Sequence, residues 1–258
     1  MSGVTQLGVL RSEWTKVRSL RSTVWTLLSA LALMVGIGGL LAQVSTDQYA
    51  TIADARRHGF EPISVSLNGT SFAQLAIGVL GVLMISGEYG TGMIRATLTV
   101  VPRRLPVLWA KLAVFAAVVF VVALAGSVVS FFAGQRLLGG LGVGIGAPGA
   151  VRSIVGAALY LTVAGLIGVA LGALLRNTAA GISTFVSVFY IIPPLFSVLP
   201  ASVDQHVSPY LPSNAGEALY RDFQGLDWLS PWAGFAVLCA YAVALVGVAS
   251  WRLLRFDA

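Results

Sequence analysis

The 258 residues carry a net charge of +6, yet 57% of them are apolar and only 10% are charged. Soluble domains contain about a quarter charged residues, so this composition is typical of a chain whose solvent is the bilayer. The charges fall in short gaps between apolar runs and form no continuous basic face, which excludes nucleic-acid binding. The single cysteine, Cys239, lies inside an apolar run and excludes an intramolecular disulfide.

Residues 5–21 have the pattern of an amphipathic helix. Their apolar side chains recur at steps of three and four, and their charged side chains fall on other faces. This pattern predicts a basic helix lying on an anionic membrane surface, and its polar part is too long for a cleaved signal peptide. The apolar stripe is Leu7, Leu10, Trp14 and Val17, and the charged residues are Arg11, Glu13, Lys16 and Arg18.

Six apolar runs follow, each long enough to cross about 30 Å of hydrocarbon as a helix. With both termini in the cytoplasm, eleven of the sixteen basic residues fall inside, as the positive-inside rule requires. The fold class is therefore an all-α polytopic membrane protein, one transmembrane domain over residues 1–258. The predicted spans cover about residues 23–45, 64–87, 107–134, 153–175, 178–200 and 230–251.

The longest inner connection, GEYGTGMIRATLTVVPRRLPVLWAK, begins at Gly87 and ends at Lys111. It opens with Glu88, and its residues 91–101 predict a short helix that ends before Pro102. Its apolar side chains are too many for a loop left in water, so we interpret the helix as a docking surface; a solvated loop with a basic tail is the alternative. Glu88 should lie at the inner membrane boundary and accept hydrogen bonds from the start of that helix.

The fourth and fifth predicted spans contain features that could shape a substrate path. Gly168 and Gly172 form a GxxxG motif, which serves either packing within the chain or a subunit interface. In the fifth span, Pro193 and Pro194 should interrupt the helix short of the outer surface. The aromatic residues around that interruption line either a cavity or an ordinary packing cluster; they are Phe185, Phe189, Tyr190 and Phe196. The outer segment 199–230 carries three prolines and an amphipathic stretch that should dip partly into the membrane.

Residues that carry chemistry are scarce. The two histidines, His58 and His206, lie in separate outer loops with no partner at ligand spacing, so the sequence predicts no metal site. No predicted span has an ionisable residue away from its ends, which disfavours an ion-driven transporter. The chain also lacks G-x-x-x-x-G-K-[ST], so it has no P-loop for ATP. A transporter with this sequence must draw its energy from another chain.

Two stretches, SEWTKVRSLRSTVWTLL at Ser12–Leu28 and the inner loop from Gly87 to Lys111, resemble permease subunits of the ABC-2 type. The similarity covers the whole chain and is greatest to actinobacterial exporters in the drug, lantibiotic and bacitracin-resistance group. It implies a plasma-membrane protein, bacterial in origin, that moves a hydrophobic or amphipathic compound outward. It also implies a second six-span chain, identical or homologous, and two copies of a separate ATPase that binds the ATP and magnesium. No cofactor is expected on this chain itself.

In that family the inner loop is a coupling helix that enters a cleft of the ATPase. Carried over, the docking residues are Glu88, Thr91, Met93, Ile94, Arg95, Leu98, Arg103 and Arg104. The substrate path would be lined by Phe185, Phe189, Tyr190, Pro193, Pro194 and Phe196. The chain would be non-catalytic. The alternative function is a membrane anchor or sensor that docks a soluble partner without moving a substrate.

Overall fold

The computed structural model describes residues 6–19, 21–49, 59–90, 104–196, 198–221 and 228–255. Within these ranges every regular element is helical, so the predicted all-α fold is confirmed. The α-helices of the described residues are α1 (Gln6–Ser19), α2 (Arg21–Gln48), α3 (Pro62–Leu67), α4 (Thr70–Gly90), α5 (Arg104–Leu138), α6 (Ala150–Leu175), α7 (Thr178–Val186), α8 (Ile192–Phe196), α9 (Ala201–Val207), α10 (Pro212–Glu217) and α11 (Pro231–Arg255).

Six helical segments of the described chain are long and apolar enough to cross a membrane, as the sequence predicts. The second combines α3 and α4, and the fifth combines α7, a π-helical turn at Ser187–Ile191 and α8. The predicted coupling helix at 91–101 lies outside the described residues. From first to sixth, the spans are Arg21–Gln48, Pro62–Gly90, Leu105–Leu141, Ala150–Leu175, Thr178–Phe196 and Pro231–Arg255.

The fourth span lies at the centre of the bundle. In its most apolar window 83% of the residues are buried, against 61% or less in the other five spans. Its helix α6 packs against α4, α5 and α11. A Cβ on Gly168 would overlap the carbonyl oxygen of Gly78, and one on Gly172 would lie 2.6 Å from the carbonyl oxygen of Val82. The GxxxG motif therefore serves close packing of α6 on α4 within the chain.

The second span is not one continuous helix. It breaks at Asn68-Gly69, between α3 and α4, where the backbone passes so close to α2 that a Cβ on Gly69 would overlap Met34. The hydroxyl of Ser130 on α5 donates within this contact, 2.7 Å from the carbonyl oxygen of Ser66 and 3.0 Å from that of Met34. The break thus has a hydrogen-bond donor beside it, as irregular backbone inside a membrane requires.

The outer segment folds back onto the bundle. It contains α9, a 3₁₀ turn at Ser208–Tyr210 and α10, and it packs against α6 and α11. A Cβ on Gly156 of α6 would lie 2.8 Å from the carbonyl oxygen of Leu219, and one on Gly234 of α11 would overlap Ala215. Protein therefore covers much of this irregular backbone, which is the condition for placing it at membrane depth. The depth itself stays a prediction.

A test of the central packing is the substitution Gly168→Ala. The added methyl group meets the backbone of α4, which cannot rotate away, so we expect a loss of about 1–3 kcal/mol in the free energy of unfolding. Gly247→Ala in α11 is the matched control, because no atom lies within 4 Å of its added Cβ. Both changes improve helix propensity equally. Thermal unfolding in detergent should show a lower midpoint for Gly168→Ala alone; equal midpoints would contradict close packing here.

Candidate functional site

α1 lies against the beginning of α5, at the end of the bundle where the undescribed inner loop leaves and returns. Leu10 of α1 packs against Val107 and Ala110 of α5. Because successive residues of a helix turn by about 100°, Glu13 and Lys16 lie together on the next face of α1. That face is directed toward the end of α4 and the third turn of α5.

Four charged side chains meet there: Glu13, Lys16, Glu88 and Lys111, which we call the four-charge cluster. The ammonium of Lys111 donates to Glu13 Oε2 at 2.6 Å and to Glu88 Oε1 at 2.9 Å. The ammonium of Lys16 donates to Glu13 Oε1 at 2.7 Å and to Glu88 Oε1 at 3.1 Å. Each lysine thus bridges the same two carboxylates. The cluster joins α1, the last turn of α4 and the start of α5.

Three members of the cluster are almost completely shielded from water, whereas the side chain of Lys16 is 29% exposed. Glu13 is 0% exposed, Lys111 1% and Glu88 9%. An isolated charge buried in this way costs several kcal/mol, and the cost is offset only when opposite charges and hydrogen bonds surround it. Two carboxylates and two ammonium groups give a neutral set, so each charge offsets another. Removing any one member leaves the set with an uncompensated buried charge.

The pKa shifts follow this balance. Burial alone would raise the pKa of Glu13, but the charges and hydrogen bonds of Lys111 and Lys16 outweigh it and hold that pKa below its usual value. Burial would likewise lower the pKa of Lys16, and Glu13 and Glu88 outweigh it and raise that pKa. Both groups therefore remain charged at neutral pH.

The predicted docking residues fall mostly outside the described chain. Those outside it are Thr91, Met93, Ile94, Arg95, Leu98 and Arg103; Arg104 is the first residue of α5, and its side chain is not described. Glu88 is described, and its Oε1 accepts from the two lysines. The other oxygen, Oε2, is buried and has no hydrogen-bond partner among the described residues. The expected bond from Glu88 to the loop helix stays a prediction.

Sequence reasoning did not identify Glu13, Lys16 and Lys111 as site residues. The composition contained a signal that would have pointed to the two lysines, since the chain has fourteen arginines but only two lysines. Both lysines belong to the four-charge cluster. A lysine ammonium is compact and has three rotatable donors, so it can bridge two carboxylates that do not lie in one plane, whereas a guanidinium is a rigid planar fork.

The predicted path residues of the fifth span differ in burial: Tyr190, Pro193 and Phe196 are half-buried, Pro194 is exposed, and only Phe185 and Phe189 are buried. Phe185 and Phe189 are buried and stack with ring centroids 4.6 Å apart. A Cβ on Gly78 of α4 would overlap the ring of Phe185. The hydroxyl of Tyr190 donates to the carbonyl of Ser71, also on α4. Phe185 and Phe189 therefore fill space beside α4, and a role of the fifth span in a substrate path stays a prediction.

Pro193 and Pro194 do not interrupt the helix where the sequence predicted. The helical span continues through both residues to Phe196, and its regular α-pattern changes earlier, at the π-helical turn Ser187–Ile191. The amide of Ile192 bonds to the carbonyl of Ser187, five residues back. The two prolines then occupy the first turn of α8, where their missing amide hydrogens remove few helical bonds.

A second polar cluster lies at the opposite end of α4. The hydroxyl of Ser71 lies 3.2 Å from a carboxylate oxygen of Glu217 and 3.4 Å from the hydroxyl of Tyr220, and it accepts from Arg221 at 3.2 Å. Burial raises the pKa of Glu217, and Arg221 only partly opposes this. Beside this cluster, Tyr160 of α6 donates to the amide oxygen of Gln74 at 2.7 Å. The outer segment is thereby hydrogen-bonded to the beginning of α4.

The pH dependence of Glu13→Gln tests the cluster. Because the folded pKa of Glu13 is lowered, its charge stabilises the fold at pH values above its unfolded pKa of 4.5. This contribution is lost as the pH falls through the lowered folded value. We expect Glu13→Gln to cost about 3 kcal/mol at pH 7 and the difference from wild type to shrink below pH 4.5.

Thermal unfolding in detergent, followed across that pH range, measures the effect. Asp47→Asn is the control, because Asp47 is an exposed acid at the other end of α2. Its change should stay within about 0.5 kcal/mol at every pH. If the difference in the free energy of unfolding between wild type and Glu13→Gln stayed constant down to the lowest pH, this would contradict a stabilising ion pair at Glu13.

The comparisons with known proteins agree with the architecture. No curated protein matches the chain. The family described as ABC-2 family transporter protein matches residues 9–194, which is well over half of the sequence and includes the whole four-charge cluster. The chain therefore belongs to the ABC-2 transporter family.

Proposed function

We propose that this chain is the membrane-spanning permease subunit of an ATP-binding cassette exporter, with its ATP hydrolysed by a separate subunit. The observation that supports this most strongly is the four-charge cluster, together with the family assignment. Glu88 lies in the last turn of α4, before residues 91–103, and Lys111 lies in the third turn of α5, after them; both are bonded to α1. A force that the loop passes to the end of α4 or to the start of α5 would therefore act on α1 as well.

The route from the loop to the substrate follows from the packing of α4. A partner ATPase that binds the loop between residues 91 and 103 would act on the end of α4 at Glu88. α4 touches the central helix α6 through glycines along its length, and its far end is hydrogen-bonded to the outer segment through Ser71. Movement at the ATPase would therefore reach the outer segment through one rigid helix of 21 residues.

The remaining features of the proposal come from the family and the sequence. The chain works with two ATPase subunits, which bind ATP and magnesium, and with a second permease chain, identical or homologous. It resides in a bacterial plasma membrane with both termini in the cytoplasm. Its substrate is hydrophobic or amphipathic, such as a drug, a peptide antibiotic or a lipid-like compound. The chain itself is non-catalytic, since its sequence contains no P-loop.

Docking is tested at Ile94, on the predicted apolar face of the loop. In the reconstituted complex, Ile94→Asp should weaken ATPase binding at least about tenfold, because it places a charge in an apolar contact worth about 1.5–3 kcal/mol. Ile94→Leu is the control and should bind nearly as wild type does. Pull-down and titration measure both. Full-affinity binding by Ile94→Asp would show that the ATPase docks elsewhere.

Transmission is tested separately at Glu88. Glu88→Gln keeps the shape of the side chain but removes the charge that holds both lysines, so the ATPase should bind normally while its hydrolysis no longer responds to the permease. The readout is the ratio of ATP hydrolysis with and without permease, which should fall several-fold toward one. The isolated permease should hydrolyse no ATP. An unchanged ratio in Glu88→Gln would favour the membrane-anchor alternative, in which the cluster only holds the fold.

A further inference from the structure

An apolar groove of about 380 Å³ lies between α1 and the first turns of α5. It adjoins the four-charge cluster at the start of the third span, which the sequence places at the inner membrane boundary. Trp109 on its wall is 56% exposed, and such tryptophans are typical of the membrane interface. None of the lining side chains carries a charge; they are Leu10, Leu105, Pro106, Trp109, Ala110 and Ala113.

The chemistry of this groove favours a hydrocarbon chain as its occupant. The groove opens at the protein surface, and its lining residues offer ordered water no charged or hydroxyl side chain as a hydrogen-bond partner. An acyl chain needs no such partner and buries the apolar lining. Because the groove lies beside a spanning helix at the membrane boundary, acyl chains are also the apolar groups present there at the highest concentration.

The charge beside the groove selects among lipids. Each residue of a helix is turned by about 100° around the helix axis from the one before it. Relative to Leu10, Trp14 is therefore turned by about 40°, Arg18 by about 80° and Arg11 by about 100°, all in the same direction. Around the circumference of α1, the face toward the groove therefore lies between the face of the four-charge cluster and the face with the two arginines. Both arginines are exposed, and they lie seven residues apart on one stripe. This stripe faces the position that a headgroup would take if its acyl chain entered the groove.

We propose that the groove between α1 and α5 binds an acyl chain of an anionic phospholipid, whose phosphate is held by Arg11 and Arg18. The four-charge cluster fixes α1 against α5 and thereby keeps the groove in shape. The site depends on neither the ATPase nor the direction of transport. A failure of the proposed function would leave it untouched, and its own failure would leave the proposed function untouched.

The test measures retained lipid on the purified full-length chain. The protein is equilibrated with equal amounts of phosphatidylglycerol and phosphatidylcholine, stripped with detergent, and examined by native mass spectrometry. The wild type should retain phosphatidylglycerol in preference to phosphatidylcholine. Each of Arg11→Gln and Arg18→Gln should lower that preference by about fivefold, as expected for a basic residue near an anionic lipid. Ala113→Phe should fill the groove and abolish retention of either lipid.

Matched controls separate this site from general effects. Ala117 is also exposed on α5, one turn beyond the groove, so Ala117→Phe should retain lipid as the wild type does. Arg136 is exposed at the other end of α5, and Arg136→Gln should keep the preference. The smaller Ala113→Leu replaces Ala113→Phe if the latter does not yield a monodisperse protein. Absence of a preference in the wild type, an equal loss in Arg136→Gln, or full retention in the filled groove would each overturn the proposal.

Discussion

Glu13 and Lys111 meet at 2.6 Å, both almost wholly removed from water, and the arrangement of this end of the protein depends on that contact. Among the described residues α1 packs mainly against α5, where Leu10 makes its apolar contact. A buried lysine that lost its carboxylates would have to release its proton or draw in water. The ion pair therefore places α1 in one position, and with it the groove on its next face.

The same contact explains why Glu88 faces inward. Its carboxylate completes the set of charges around Lys16 and Lys111, so the last turn of α4 is held against α1 and α5 at once. The other end of α4 is held by different chemistry, a serine hydroxyl surrounded by Glu217, Tyr220 and Arg221. Between these two polar ends, glycines bring the backbones of α4 and α6 into close contact. No long side chain lies between the two backbones there that could change its conformation. α4 is thus a stiff connection with a defined partner at each end.

The fifth span shows how tertiary context changes a local rule. Two consecutive prolines predict a helix interruption, since neither can donate the next helical bond. The interruption is absent because the π-helical turn one step earlier shifts the bonding pattern, and the prolines then begin a new turn. The large aromatic rings set this geometry together with α4, where Gly78 leaves room for Phe185. A proline pattern read on its own contains no information about the helix opposite.

Hydropathy and two short motifs were enough to predict the class and the outline of this protein. Hydropathy predicts six spanning helices because a bilayer demands a fixed length of apolar helix with internally satisfied backbone. The loop motif and the first helix were sufficient to indicate the family. Glu88 was identified because it opens the inner loop directly after a long uncharged run, and the family resemblance gave it a role.

The pairing of the charges, by contrast, depends on how the helices pack. Glu13 and Lys111 stand 98 residues apart, and no local period relates them. In the sequence, Glu13 is one charge of the amphipathic stretch 5–21 and Lys111 is a charge near the start of the third predicted span; the packing of α1 on α5 made them a buried pair. The same holds for the glycines of α6, whose partner helix could be inside the chain or in another subunit until the fold brought them against α4. The spacing of residues along the sequence shows which side chains share a face of one helix. Which face packs against which depends on how all the helices pack together.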